Sequence, residues 1–192
     1  MFPRAPDQHK PNKPLVPNGL GVFYVIISAV YIFLLYYYGV ESVAKGISAP
    51  LTLAACILFG GFMGLLDDWV DLKWRYKAFL PLIAAIPLVT FASQFPGVRT
   101  SIALPFLGTI HLGAVYFFII IPVLVTIITN TVNQLGGLNG LETICPAIVM
   151  IGLMSISGSF AVLLAVPLIV WLILAVFNFG GKIFVGNTGP LP

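Results

Sequence analysis

Two adjacent carboxylates stand where a long apolar stretch ends and a basic segment begins. Asp67 and Asp68 follow a charge-free run, and Lys73, Arg75 and Lys77 come soon after them. Ionisable groups at membrane depth usually line a water-filled cavity and act on ions or substrates. Neighbouring carboxylates repel each other, and a divalent cation or a shared proton would relieve that repulsion. The pattern predicts a functional site, with a solvated helix end as the alternative interpretation.

Amides and glycines dominate a second segment, NTVNQLGGLNGLE, which spans residues 130–142. Amide oxygens are good ligands for hard cations, and glycines let the backbone approach a phosphate closely. Asn and Gly are also the usual residues where a helix ends in a turn. This segment therefore leaves a binding loop and a simple helix terminus equally open.

Two further segments are rich in turn-forming residues. They are KPNKPLVPNGLG at 10–21, which contains Asn18, and FVGNTGP at 184–190, which contains Asn187. Turn composition explains each of them when it is taken singly. Their significance depends on whether the fold brings them to the acidic pair.

The composition indicates that the solvent is lipid. Of the 192 residues, 59% are hydrophobic and 8% are charged, whereas soluble domains carry roughly a quarter charged residues. So few charges cannot cover a water-facing surface, which excludes an ordinary soluble domain. The net charge of +3 is dispersed along the chain, whereas nucleic-acid binding needs a clustered basic face. We therefore expect an all-α integral membrane protein with no nucleic-acid partner.

Charge-free stretches of sufficient length predict a polytopic bundle of about six transmembrane helices. A loop at 1–19 would precede a six-span membrane domain at 20–178, and 179–192 would begin another loop. Prolines inside the third and sixth stretches are expected to kink those helices. The six spans are expected at about 20–38, 47–66, 78–95, 114–132, 143–159 and 160–178.

Six spans place all four polar segments on one side of the membrane. Cytoplasmic loops are enriched in Lys and Arg, and this side holds seven of the nine basic residues. We therefore expect cytosolic active-site loops. The seven are Arg4, Lys10, Lys13, Lys73, Arg75, Lys77 and Lys182, whereas Lys45 and Arg99 lie on the other side.

Taken together, the motifs resemble those of the polyprenyl-phosphate N-acetylhexosamine-1-phosphate transferases, most closely the dolichyl-phosphate GlcNAc-1-phosphate transferase branch. The resemblance rests on GLLDDWVDLKWRYKAFLP at 64–81, on the Asn-rich segment, and on TSIALPFLGTIHLG at 100–113. It implies transfer of GlcNAc-1-phosphate from UDP-GlcNAc to a polyprenyl (dolichyl) phosphate, with release of UMP. This reaction begins lipid-linked oligosaccharide synthesis for N-glycosylation. Such enzymes have further spans on both sides of the matching region, so we expect this chain to be a fragment.

The resemblance also assigns roles to individual residues. It implies that Asp67, Asp68 and Lys77 are catalytic, and that Asn133 and Asn187 are ligands of Mg²⁺, the expected cofactor. Relatives often carry Asp at the position of Asn187 and Glu at the position of Asn18. The residues expected to bind substrate are Asn18, Asn139, Glu142, Lys73 and Arg75. The expected partners are UDP-GlcNAc, the polyprenyl phosphate, membrane lipid and a second copy of the chain as a homodimer.

Two other functions remain open at this point. The string Asp67-Asp68-Trp-Val-Asp71 matches the DDxxD pattern with which membrane prenyltransferases bind magnesium diphosphate, although a second acidic cluster is missing from the sequence. A transporter or structural subunit would instead use the acids as ion-coupling groups near mid-membrane. The expected location is the endoplasmic reticulum membrane or a prokaryotic plasma membrane.

Overall fold

Helices separated by short connections make up the chain in the computed structural model. The structure describes residues 2, 4–7, 10–40, 43–44, 47–70, 72–95, 97–106, 108–135, 140–156 and 158–186. The helices in this part of the chain are α1 (Gly21–Tyr37), α2 (Ala49–Val70), α3 (Trp74–Ala84), α4 (Ile86–Gln94), α5 (Ile121–Leu135), α6 (Leu141–Ile156) and α7 (Gly158–Phe179). Because α3 and α4 continue as one apolar rod, Trp74–Gln94, six rods result. The predicted all-α membrane fold class is confirmed.

In the part of the chain that the structure describes, three antiparallel hairpins lie between or before the helices. They pair β1 (Arg4–Pro6) with β2 (Leu15–Pro17), β3 (Val43–Ala44) with β4 (Ile47–Ser48), and β5 (Ser101–Leu104) with β6 (Gly108–His111). β1, β2, β3, β5 and β6 lie in regions that were expected to be loops, whereas β4 lies at the start of the span expected at 47–66. The strands are only two to four residues long, too short for an alternating hydrophobic pattern to reveal them.

Proline explains the irregular places in two rods. α3 contains Pro81 and α4 has Pro87 in its first turn, and the junction between the two helices falls at Ala85. Residues Tyr116–Ile120 form a π-helical turn that leads into α5. Pro122 has no N–H to donate there, so a regular α-helical hydrogen bond cannot form across that turn.

Glycines end two of the helices. After α7, Gly181 has a φ of +59°, its N–H donates to the carbonyl of Asn178, and Lys182 N–H donates to the carbonyl of Phe177. This pair of bonds is the Schellman arrangement, which satisfies carbonyls that the helix leaves open. α1 ends in the same way at Gly39. Both terminations turn the chain sharply, and the one after α7 directs it toward the candidate site.

The rods pack as neighbours in a definite order. α1 contacts both α2 and α7, α6 lies along α7, α3 lies along α5, and α4 contacts α2. Gly61 of α2 faces the side chain of Val25 so closely that a β-carbon there would overlap its methyl groups. On the other side of α1, Tyr24 packs edge-on against Trp171 of α7, with ring centroids 4.8 Å apart.

Polar and apolar residues are distributed as expected for a protein in lipid. Large apolar side chains such as Ile26, Phe62 and Val176 are exposed on the helices. Buried polar residues, by contrast, include Asp67, Glu142 and Asn178. An exposed apolar exterior of this extent matches hydrocarbon rather than water as the solvent. The chain is therefore an integral membrane protein.

Helix lengths differ from the expected spans in detail. Among the described residues, three rods are long and apolar enough to cross a membrane: Ala49–Val70, Trp74–Gln94 and Phe160–Phe179. The remaining apolar helices, Gly21–Tyr37, Tyr116–Val132 and Leu141–Ile156, are shorter. α2 runs through Val70 rather than ending near residue 66, and α3 begins at Trp74 rather than near residue 78. The acidic pair therefore lies on α2, and Arg75 and Lys77 lie on α3, whereas Lys73 directly precedes α3.

The close approach of α1 and α2 gives a stability prediction. Gly61→Ala should lower the free energy of unfolding by about 1–3 kcal/mol, because the added methyl group overpacks the contact with Val25. The matched control is Gly152→Ala on α6, where nothing lies within 4 Å of the new β-carbon. Thermal unfolding in detergent would compare the two. Equal midpoints for the two variants would contradict the proposed close contact.

Candidate active site

One end of the helix bundle, called here the site end, gathers polar segments that are far apart in sequence. α2 ends at the site end, and α1, α3 and α6 begin there. The segment after α7 reaches the same place. Phe184 N–H donates to the carbonyl of Pro17 at 2.8 Å, and Gly21 N–H donates to the carbonyl of Val185 at 2.8 Å. These bonds join the chain before α1 to the chain after α7.

Asp67 and Lys77 form an ion pair at the site end. Asp67 Oδ1 lies 2.8 Å from Lys77 Nζ, and the Asp67 side chain is 7% exposed. The same oxygen accepts the N–H of Leu72 at 3.0 Å. The carboxylate therefore closes the turn between α2 and α3 and at the same time holds the ammonium in the first turn of α3.

Asp68 has different neighbours from those of Asp67. A β-carbon built on Gly186 would lie 2.8 Å from Asp68 Oδ2, 2.7 Å from Asn18 Oδ1 and 2.7 Å from the Gly19 nitrogen. The backbone of Gly186, with φ +73°, thus passes beside a carboxylate and an amide that come from two other segments. Successive helical residues point about 100° apart, which is why the two aspartates serve different neighbours.

Glu142 is buried and fastens the segment that leads to Gly186. It is 5% exposed, and its Oε1 accepts Val185 N–H at 3.1 Å and Asn178 Nδ2 at 2.6 Å. A charged acceptor makes such bonds shorter and stronger than neutral ones. Because Val185 directly precedes Gly186, Glu142 sets where the backbone passes Asn18 and Asp68. The structure thus gives Glu142 a positioning contact in addition to the substrate role expected from the resemblance.

Asn178 is a site-end residue that the motif analysis did not select. Its Oδ1 accepts Gly140 N–H at 2.7 Å and Thr143 Oγ1 at 3.4 Å, while its Nδ2 donates to Glu142 and to the carbonyl of Ile183 at 3.0 Å. An amide has two donors and two acceptor sites, so this fully buried side chain uses all four. The only indication of this residue in the sequence was that an Asn ends the apolar span predicted at 160–178.

For the remaining predicted site residues, the structure shows only part of their surroundings or none. Lys73 and Arg75 are exposed at the beginning of α3. Asn133 lies in the last turns of α5, but its side chain lies outside the part that the structure describes. Asn139, Asn187 and Asp71 also lie outside the described residues. Their roles therefore stay predictions.

The donor chemistry at the site end suits a hard cation bound together with a phosphate. Among the described residues, no group of three His, Cys, Asp or Glu side chains could hold a metal ion by itself. Mg²⁺, however, is usually held by one or two carboxylates and by the oxygens of a phosphorylated substrate, and it keeps several waters. The Asp68 carboxylate with the Asn18 amide oxygen nearby matches that requirement, so the residues present fit the expected cofactor.

Comparison with known proteins identifies the family. A sequence model of glycosyl transferase family 4 matches residues 50–192 of the chain, which is well over half of its length. The chain belongs to glycosyl transferase family 4. The matched region contains Asp67, Asp68, Lys77 and Glu142, whereas Asn18 precedes it.

Curated relatives of this family 4 chain carry a common name. A protein of Sulfolobus acidocaldarius and one of Saccharolobus solfataricus are each 35% identical over 95% of the chain. Both are named as candidate UDP-N-acetylglucosamine–dolichyl-phosphate N-acetylglucosaminephosphotransferases. The enzyme with that name from Schizosaccharomyces pombe is 32% identical over 71% of the chain and 37% of its own length. The chain spans 57% of the length of each of the two archaeal relatives.

Gly186 gives a prediction that does not depend on the reaction. Gly186→Ala should lower the thermal midpoint in detergent more than Gly108→Ala does. Both positions have nearly the same positive φ, +73° and +77°, but nothing lies within 4 Å of a β-carbon at Gly108. The strained backbone costs about 1–3 kcal/mol in both variants, and overpacking adds about 1–3 kcal/mol at Gly186 alone. Equal losses of stability would show that the backbone is not held close to Asp68 and Asn18.

Proposed function

We propose that the protein carrying this chain transfers GlcNAc-1-phosphate from UDP-GlcNAc to a polyprenyl (dolichyl) phosphate and releases UMP. The observation that carries this proposal is the meeting of Asp68, Asn18 and Gly186 beside the Asp67–Lys77 pair at the end of apolar helices. The names of the archaeal and yeast relatives support the choice of substrates. The reaction would begin the assembly of lipid-linked oligosaccharides for N-glycosylation.

The place of the site suits two substrates of opposite solubility. A polyprenyl phosphate has an apolar tail that must stay in the bilayer and a headgroup at its surface, whereas a nucleotide sugar arrives from water. A site at the ends of membrane helices gives both reacting groups access to the same carboxylates. The exposed apolar exterior of the helices provides a surface along which a prenyl chain can lie.

The chemical step is a displacement at phosphorus. An oxygen of the lipid phosphate attacks the β-phosphorus of UDP-GlcNAc, and a new phosphorus–oxygen bond forms. The bond between that phosphorus and the bridging oxygen breaks, so UMP leaves with the bridging oxygen. The lipid then carries GlcNAc on a diphosphate.

Each charged group at the site end has a role in this step. We assign Asp68 to the lipid phosphate, whose proton its carboxylate accepts as the phosphate attacks. Lys77, held in place by Asp67, offers a preorganised positive charge to the diphosphate. Asn18 is assigned to the nucleotide, together with Asn139, Lys73 and Arg75 as further substrate contacts. Glu142 keeps the Gly186 segment in position for these contacts.

Mg²⁺ is the proposed cofactor. When bound, it would neutralise charge on the diphosphate and polarise the phosphorus under attack. The Asp68 carboxylate would hold it, with Asn133 and Asn187 as amide ligands. An amide at position 187 brings no charge to the ion, so Asp68 would supply the negative charge that protein groups contribute, and Asp67 would act through Lys77.

A substitution in the acidic pair tests the function. Asp68→Asn should reduce UMP release from UDP-GlcNAc and dolichyl phosphate by about 100-fold or more, as expected when a preorganised charge is removed from a reacting centre. The thermal midpoint in detergent should change little, because the amide has the shape of the carboxylate. The measurement uses the purified protein that carries this sequence.

Asp71→Asn is the control for this experiment. A prenyltransferase that uses the DDxxD pattern would lose activity with this change as well, whereas we expect the phosphotransferase to keep most of its rate. Transfer that continues at nearly the original rate in Asp68→Asn would show that the acidic pair is structural. An equal loss in both variants would favour the prenyltransferase interpretation.

The orientation of the site is a further part of the proposal. We place the site end on the cytosolic face, either of the endoplasmic reticulum or of a prokaryotic plasma membrane, because Lys10, Lys73, Arg75 and Lys77 belong to segments at that end. Cytosolic loops attract such residues. UDP-sugars are then available on the same side as the catalytic groups.

Cysteine labelling tests the orientation. With Cys56 and Cys145 replaced by Ala, Lys73→Cys should react with a membrane-impermeant thiol reagent only when the cytosolic face is accessible. Arg99→Cys, in the segment between α4 and β5, should react only from the opposite face. Labelling of both positions from the same face would contradict the arrangement of the spans.

A further inference from the structure

An ion pair between a buried carboxylate and a partly exposed ammonium lies in the N-terminal hairpin, outside the groups assigned to the chemistry. Asp7 is fully buried, and its Oδ2 lies 3.2 Å from Lys10 Nζ. The same ammonium donates to the carbonyl of Gly181 at 3.0 Å, across 171 positions of sequence. Lys10 therefore joins the hairpin to the turn that ends α7.

Both elements joined by Lys10 lead directly into the site. β2 ends at Pro17, and the next residue is Asn18. The turn at Gly181 begins the segment that reaches Gly186, five residues later. A shift of the hairpin relative to this turn would separate Asn18 from Gly186 and change how both lie against Asp68.

We propose that Asp7 and Lys10 are positioning residues for the nucleotide side of the site. The ion pair holds the hairpin against the turn after α7 and so fixes Asn18 beside Gly186 and Asp68. This inference rests on the proposed function, in which Asn18 contacts the nucleotide. Neither residue touches the reacting atoms, so both act through Asn18.

A charged link can fix the hairpin because its hydrogen bonds are directional. An ammonium that is shared between a buried carboxylate and a backbone carbonyl has a narrow range of positions, unlike an apolar contact. Two backbone hydrogen bonds, Phe184 to Pro17 and Gly21 to Val185, also hold the region. Removing Lys10 should therefore loosen the hairpin without unfolding the bundle.

Spin-label distances test the mechanical part of the proposal. With Cys56 and Cys145 replaced by Ala, labels at the exposed positions Leu15 of β2 and Val176 of α7 report how the hairpin lies relative to α7. Lys10→Met should broaden the distance distribution, and Lys10→Arg should restore a narrow one. Lys13→Met, an exposed lysine in the same hairpin loop, is the matched control and should leave it unchanged.

Kinetics test the functional part. Lys10→Met should raise KM for UDP-GlcNAc about two- to five-fold, the size expected for an ion pair with one partly exposed partner, with a smaller change in kcat. Lys10→Arg should recover most of the affinity. Asp7→Asn keeps the shape of the side chain and removes the charge, so it serves as a second variant and should also raise KM.

The outcomes separate this inference from the proposed function. A purely structural role would lower apparent kcat in proportion to the folded fraction and leave KM unchanged, which would overturn the inference. Unchanged label distances in both Lys10→Met and Asp7→Asn would also overturn it, whatever the activity. If the unmodified protein transferred no sugar phosphate, the proposed function would fail, and the label distances would still decide whether the ion pair fixes the hairpin.

Discussion

The hydrogen bonds at Glu142 are the constraint on which the site depends. Residues 182–186, the described part of the chain after the turn that ends α7, have no regular structure, so their backbone groups need partners from elsewhere in a poorly hydrated interior. Glu142 provides one for Val185 and is itself held by Asn178. Together with the backbone bonds of Phe184 to Pro17 and of Gly21 to Val185, this buried carboxylate sets the position of Gly186 beside Asn18 and Asp68.

The two adjacent aspartates have different roles because they lie on different faces of one helix. Side chains that are neighbours in sequence leave a helix in different directions. Asp67 consequently closes the turn before α3 and orients Lys77, while Asp68 lies beside residues from both ends of the chain. One carboxylate organises the protein, and the other is at the place where substrates are proposed to react.

Much of the fold could be predicted from the sequence, because hydropathy reports burial in lipid over stretches as long as a helix. The acidic pair and its proximity to a basic segment were also visible as a pattern. The start of α3 at Trp74 could not be predicted, because it depends on a hydrogen bond from Leu72 N–H to Asp67 that forms within a polar segment. The four bonds of Asn178 were equally hidden, because one amide in an apolar span gives no indication of its partners.

The link between Lys10 and Gly181 has a consequence for biosynthesis. A ribosome adds about 5–20 residues per second, so the hairpin emerges roughly ten to thirty seconds before the turn with which it pairs. During that interval the apolar helices can enter the membrane one after another, while the hairpin remains in water with its charges hydrated. Joining of the two segments can then occur only after α7 has been inserted, and the site cannot form earlier.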